Sequence, residues 1–122
     1  MDARALAIRC QELAEEKKAE NPLILDLRGL SNITDYFLIA GGTSEPHLRA
    51  IVDWIVEKIQ EEFGLKPAAI DGTYHTNWVV LDYFDVVAHI MRPETRAHYD
   101  LEGLWGDAPR IRPRREASDV SG

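Results

Sequence analysis

The chain is organised around residues 78–91, WVVLDYFDVVAHIM. Apolar and β-branched residues fill both halves, which is typical of strands that lie on a half-buried, pleated surface. The sequence therefore predicts a β-hairpin that turns within residues 82–85. If the turn has two residues, Asp82 faces Asp85 across the ladder and Trp78 faces His89.

Side chains alternate between the two faces of a strand, so the hairpin sorts its residues into two sets. One face carries Val79, Leu81, Val86, Ala88 and Ile90, and the other carries Trp78, Val80, Asp82, Asp85, Val87, His89 and Met91. Both sets are mainly apolar, so the first can pack on the protein's own helices and the second also needs cover. Helices of the same chain are one possible cover. A partner with an apolar patch and a basic residue is the other, since two opposed aspartates repel each other.

The segments around the hairpin alternate between helical and extended patterns. Asp2 is the expected N-cap of a helix over residues 3–19, and Thr43 or Ser44 caps a longer helix that runs to Phe63 before Gly64. Strands are predicted over residues 23–27, 35–40 and 68–71. A short helix over 94–99 and one more turn over 100–105 lay Leu101, Leu104 and Trp105 back on the body. This order predicts an α/β fold, with a mixed β-sheet flanked by helices.

Length and charge limit the classes of function. A chain of 122 residues with a net charge of −7 is expected to form one acidic domain, which phosphate backbones repel and basic proteins attract. We place the domain at residues 1–108 and predict a disordered basic tail at 109–122, where four arginines lie among prolines. Contact with RNA is the alternative for this arginine cluster. The chain lacks a membrane-spanning apolar run and a secretory signal, and Cys10 is its lone cysteine, so a cytoplasmic location is expected.

The sequence offers few candidates for catalysis. The turn Gly41-Gly42-Thr43-Ser44 either caps the helix that follows or holds a phosphate on its backbone N–H groups. A P-loop lysine is missing, and so is the alternating pair of acids with which a nucleotidyltransferase holds magnesium. His47, His75, His89 and His98 do not have metal-ligand spacing. We therefore predict no enzyme activity, no cofactor and no metal.

Several separate motifs, in order, give the chain a resemblance to a known family. They are SNITD at 31–35, GTS at 42–44, WVVLD at 78–82, DVVAH at 85–89, and YDLE at 99–102 followed by Leu104 and Trp105. Over residues 3–109 the chain resembles the ribosomal silencing factors (RsfS, also called Iojap). The resemblance implies a nucleotidyltransferase-like fold without the catalytic acids. It also implies binding to the large ribosomal subunit through its basic protein L-fourteen, a block on joining of the small subunit, repression of translation when nutrients are short, and a homodimer when free.

The resemblance also assigns a contact surface on the hairpin face. It maps first onto Trp78, Asp82, Tyr83 and Asp85, and then onto Val80, His89 and Tyr99. The chain departs from the family pattern at Phe84, where glycine is usual and would suit the positive φ of a tight turn. Phe84 either forces a different turn or offers an exposed aromatic ring to the partner. An assembly factor for the large subunit and an active nucleotidyltransferase remain the alternative functions, and the arginine-rich tail lies beyond the expected shared region.

Overall fold

The computed structural model describes residues 2–73 and 77–111, which form a six-stranded mixed sheet with helices on both faces. The strand order is β3-β4-β5-β2-β1-β6, and only the β2–β5 pair is parallel within the described sheet. The elements are α1 (Ala3–Glu16), β1 (Glu20–Asp26), β2 (Tyr36–Gly41), α2 (Glu45–Phe63), β3 (Ala69–Thr73), β4 (Trp78–Asp82), β5 (Val86–Met91), α3 (Pro93–Tyr99), α4 (Leu101–Leu104) and β6 (Arg110–Ile111). The predicted fold class is confirmed.

The two long helices begin where the sequence predicts. The Asp2 carboxylate accepts a hydrogen bond from the Arg4 N–H at 3.0 Å, and Ser44 Oγ accepts one from the His47 N–H at 3.2 Å. Helix α2 ends at Gly64, whose φ of 68° only glycine adopts at little cost. Helix α1 ends at Glu16, earlier than predicted. The proline at position 22 lies inside β1, beside an irregularity in the pairing with β2.

The main core lies between α1, α2 and one face of the sheet. The hairpin supplies Val79, Leu81, Val86, Ala88 and Ile90, all of them buried. This is the set that alternation predicts for the inner face. The two helices are also joined at the surface, where the Arg9 guanidinium donates to both carboxylate oxygens of Glu62 at 2.8 and 2.9 Å.

The hairpin register differs from the prediction. Trp78 pairs with Met91 and Asp82 pairs with Val87, so Asp82 and Asp85 are not opposed. The turn lies one residue later than predicted, because the Tyr83 N–H donates to the Val86 carbonyl at 2.8 Å. A turn displaced by one residue moves each cross-strand pair by two, and the assignment of residues to faces therefore survives.

The other face of the sheet is covered by the short helices α3 and α4. A smaller cluster forms there from Leu25, Leu27, Ile39, Met91 and Ala108, and Leu101 and Trp105 pack against it. The expectation that Leu104 also packs on the body is wrong, because its side chain is 72% exposed. The chain's own helices thus cover part of this face and leave the rest exposed.

The end of the described chain belongs to the sheet. Strand β6 pairs with β1, with Ile111 opposite Ile24, and the Ile111 side chain is buried in the main core. The folded part therefore extends three residues past the predicted boundary at 108. The predicted tail begins at 109, and its residues 112–122 lie outside the described residues, as does His75. Among the described helices, none has the length and apolar character needed to cross a membrane.

Candidate partner-binding surface

A partly open area lies on the outer face of the hairpin, between its tip and helix α3. Its members share at least partial exposure, and we call them the hairpin surface: Trp78, Val80, Asp82, Phe84, Asp85 and Tyr99. Strand β4 places Trp78, Val80 and Asp82 on one line, because alternate residues of a strand share a face. Together with Gly72 of β3 and Thr95 of α3, Trp78, Val80 and Tyr99 line an open groove of about 480 Å³.

Trp78 is the central side chain of this surface. Its ring lies 4.8 Å from the ring of Tyr99 and 5.8 Å from that of His89, measured between centroids. The indole Nε1–H donates a hydrogen bond to His89 Nδ1 at 3.0 Å. One edge of the ring is thus held from inside the protein, while the side chain remains partly exposed. Such a half-buried aromatic side chain is typical of the anchors in protein interfaces.

His89 lies beneath this surface, since its side chain is only 7% exposed. It packs at an edge-to-face angle of 66° against the ring of Phe37, with 4.5 Å between centroids. Burial lowers the pKa of His89 to about 4, because the imidazolium would lose its hydration. The imidazole is therefore neutral near pH 7, and its Nδ1 lies within hydrogen-bond distance of the Trp78 indole.

The hairpin tip combines a buried tyrosine with an exposed phenylalanine. Tyr83 is 6% exposed and packs in the main core, where burial raises the pKa of its hydroxyl. Phe84 is 71% exposed and has a φ of 70°, a region that β-carbon sterics disfavour. The Asp82 carboxylate accepts the Phe84 N–H at 2.8 Å and stabilises that turn. Phe84 thus keeps the positive φ that suits glycine and also presents its ring to solvent.

The structure divides the seven predicted contact residues by depth. Trp78, Val80, Asp82, Asp85 and Tyr99 reach the surface, and Tyr83 and His89 support it from within. Gly72 and Thr95 complete the groove and were not among the predicted contact residues. Their positions depend on how β3 and α3 pack on β4, and no local pattern of residues contains that information.

The turn before α2 is a helix cap. The Thr43 N–H donates to His47 Nδ1 at 2.9 Å, and His47 Nε2 lies 2.7 Å from the Lys17 carbonyl, to which it donates. The imidazole thus bonds a backbone N–H group that a phosphate would need. Gly42 is required there for close packing, since a β-carbon would lie 2.7 Å from a methyl of Leu48. No group of three or more His, Cys, Asp or Glu side chains in the described ranges is placed to hold a metal.

Comparison with known proteins decides the family. The model of a family described as "Ribosomal silencing factor during starvation" matches residues 1–121. The chain belongs to the ribosomal silencing factor family. This match runs well past Pro109, so the expectation that the arginine-rich tail lies beyond the shared region is wrong.

Individual relatives agree with this assignment. The chain is 40% identical to the ribosomal silencing factor RsfS of Halalkalibacterium halodurans over 97 residues, which cover 80% of this chain and 82% of the relative. It is also 40% identical to RsfS of Bacillus subtilis over 95 residues, 78% of this chain and 80% of that one. A mouse protein named "Mitochondrial assembly of ribosomal large subunit protein 1" is 34% identical over 98 residues, 76% of this chain and 42% of the mouse protein.

Solved structures share the fold of this ribosomal silencing factor family member. A crystal structure from Chromobacterium violaceum superposes with a TM-score of 0.82 at 29% identity and covers 87% of this chain and 88% of that one. A second, from Bacillus halodurans, has a TM-score of 0.72 at 34% identity and covers 89% of this chain and 95% of that one. The resemblance found from the sequence motifs is therefore confirmed.

Proposed function

We propose that this protein represses translation in the cytoplasm when nutrients are limiting, by binding the large ribosomal subunit and keeping the small subunit from joining it. The proposed contact is the basic ribosomal protein L-fourteen. The observation that carries the proposal is the hairpin surface, an apolar and acidic area that α3 and α4 leave open. The names of the bacterial relatives, which are silencing factors, support the same function for this chain.

The chemistry of the hairpin surface suits a basic protein partner. Trp78, Phe84 and Tyr99 supply aromatic contact area, and Asp82 and Asp85 add negative charge at the hairpin tip. Buried aromatic anchors supply most of the binding energy in protein interfaces, and charges at the rim mainly speed association and make it sensitive to salt. A stable interface needs only about 800 Å² on each side. Steric blocking requires affinity and position, and no catalytic group.

Co-sedimentation with purified large subunits tests the proposal. Trp78→Ala is expected to abolish binding, because it removes the central aromatic side chain. Trp54→Ala is the matched control, since Trp54 lies on α2, on the opposite side of the sheet, where its Nε1–H donates to Glu16. Circular dichroism of both variants checks folding. Equal co-sedimentation of Trp78→Ala and the wild-type protein would refute the assigned surface.

The contribution of charge can be separated from the structure of the turn. Asp82→Asn removes one negative charge and keeps an oxygen that can accept the Phe84 N–H. Asp85→Lys reverses the second negative charge at the hairpin tip. Both variants are expected to bind more slowly than the wild-type protein, with Asp85→Lys the slower, and added salt should reduce these differences. In a ribosome-joining assay, the wild-type protein should lower the yield of joined particles, and the yield should rise again with each variant in proportion to its lost affinity.

Assembly of the large subunit is the second candidate function. The name of the mouse relative favours it, and the same hairpin surface would serve both roles. Sedimentation of cell extract at low magnesium distinguishes the two. Silencing places the protein on mature large subunits, whereas assembly places it on lighter precursor particles.

Two further parts of the proposal concern activity and oligomeric state. We propose no nucleotidyltransferase activity, because His47 occupies the backbone donor at the turn before α2. Calorimetric titration with Mg-ATP should show no saturable binding, and binding at micromolar levels would support the enzyme instead. We also propose that the free protein is a homodimer, which analytical ultracentrifugation of the purified chain would test.

A further inference from the structure

A buried histidine lies directly under the central tryptophan of the hairpin surface. His89 of β5 pairs across the ladder with Val80, and Trp78 is its diagonal neighbour on the same face. Indole Nε1–H is only a donor, so the His89 Nδ1 that accepts from it at 3.0 Å carries no proton. In the neutral ring the proton must therefore be on Nε2. The Trp78 hydrogen bond thereby sets the tautomer of His89.

The second nitrogen of His89 adds no hydrogen bond to the part of the fold that the structure describes. Its Nε2 is fully buried and has no hydrogen-bond partner among the described residues. A buried polar group without a partner costs free energy, and an apolar side chain of similar size would avoid that cost. The histidine thus supplies something that a leucine at this position would not. Within the described residues, His89 supplies Nδ1 as the hydrogen-bond acceptor for the Trp78 indole.

Trp78 is held between two rings of its own chain. Tyr99 of α3 lies on one side at 4.8 Å, and His89 holds Nε1–H from the other. A large side chain that is already ordered loses less conformational freedom when it binds, and this preorganisation increases affinity. We propose that His89 is a positioning residue that fixes the indole of Trp78 in the orientation in which it meets the partner, an inference that rests on the proposed function.

The first test follows the indole itself and needs no ribosome. Nitrogen-edited NMR of the full chain gives one indole N–H signal for each of Trp54, Trp78 and Trp105, and Trp78→Phe identifies the signal of interest. His89→Leu should move that signal upfield and speed its exchange with solvent, because the acceptor is gone. His89→Asn keeps an acceptor close to the position of Nδ1 and should leave the signal near its wild-type place. A signal that does not move in His89→Leu would overturn the inference.

The second test measures affinity and thermal stability together. His89→Leu should bind large subunits about threefold to tenfold more weakly, the usual worth of one hydrogen bond, and His89→Asn should recover most of that loss. The melting temperature of His89→Leu should equal or exceed that of the wild-type protein, because the unpartnered Nε2 is removed. A purely structural histidine would instead lower the affinity and the melting temperature together, and that result would overturn the inference.

The outcomes distinguish this inference from the proposed function. If Trp78→Ala loses binding but His89→Leu binds as the wild type does, the hairpin surface stands and the positioning role of His89 is refuted. If Trp78→Ala also binds as the wild type does, the hairpin surface is not the docking site and both proposals fall. The NMR result still reports in that case whether His89 orders the indole.

Discussion

The two faces of one hairpin differ in what covers them. The inner face lies beneath α1 and α2, helices of 14 and 19 residues, and its five apolar side chains are buried. The outer face lies beneath α3 and α4, which have seven and four residues, and it remains partly open. Since side chains alternate along each strand, the same backbone supports both faces. Buried apolar area, and with it stability, is therefore concentrated on the inner face, whereas the outer face keeps the exposed area that the proposed binding would use.

Truncating neighbouring residues of β4 is the strongest test of this division. Leu81 is fully buried on the inner face, and Val80 is partly exposed on the outer face. Leu81→Ala should lower the free energy of unfolding by about 2–5 kcal/mol, because it leaves a cavity, whereas Val80→Ala should cost at most about 1 kcal/mol. Urea denaturation of both variants measures the difference. Equal losses would show that the two faces contribute equally to stability.

Acid should weaken the fold through the outer face. His89 has a pKa of about 4 in the folded protein and an ordinary value of 6.5, so the unfolded chain binds its proton first. Protonation of His89 therefore costs the fold nothing well above pH 6.5, and stability is lost as the pH falls toward 4. The full loss is on the order of 3 kcal/mol. The side chains that contact the ring, Phe37 and Trp78, carry no charge.

Denaturation between pH 7 and 4.5 checks this prediction. Hydrogen bonds from Arg28 and Arg9 lower the pKa values of the Asp26 and Glu62 carboxylates. These carboxylates therefore lose their contribution to stability only at a pH below about that range. The difference in free energy of unfolding between the wild-type protein and His89→Leu measures the effect of His89 alone. This difference should shrink steadily as the pH is raised to 7. A pH-independent difference would contradict the neutral, buried state of His89.

The smallest expected effect lies at the tip, where the two faces meet. Phe84→Gly relieves the positive φ of 70° but gives the unfolded chain more freedom, so the net gain in stability should be at most about 1 kcal/mol. The same change removes an exposed ring and should weaken binding to large subunits. Opposite signs in denaturation and co-sedimentation would support a contact role for Phe84, and a variant that gains stability without losing affinity would exclude it.

Tyr83→Phe is the matched control at the same tip. It removes only a buried hydroxyl that has no hydrogen-bond partner among the described residues. Neither stability nor affinity should fall. A marked loss of affinity in this variant would return Tyr83 to the contact surface, where the family resemblance first placed it.

The parts of the fold that local chemistry determines were predictable. Caps at Asp2, Ser44 and Gly64 and the alternation along β4 and β5 depend on neighbouring residues, and they are confirmed. The hairpin register depends on Phe84 accepting a positive φ, which residue preferences oppose. Strand β6 is only two residues long and forms by pairing with β1, so its own sequence gives little sign of it.

The candidate site was predictable in outline and not in depth. Motifs and alternation identify Trp78, Val80 and Asp82 as members of one face, which the structure brings together. Motifs and alternation do not predict that Tyr83 points into the core, because that depends on the position of the turn. Nor do they predict that His89 lies under the indole, because that depends on its packing against Phe37. How deeply a residue is buried depends on tertiary packing. A family resemblance can assign contact residues, but it does not give the burial of each one.

Strand β6 has a practical consequence for anyone who shortens this chain. It is the border strand of the sheet, three strands away from β5, at a distance of roughly 15 Å. A fragment that stops at residue 108 would lack the strand that pairs with the outer edge of β1. The unpaired backbone donors and acceptors of β1 could then pair with other molecules, which promotes aggregation. A fragment that keeps Ile111 retains the short strand that pairs with β1, and an affinity tag attached there would start on the side of the sheet away from the hairpin.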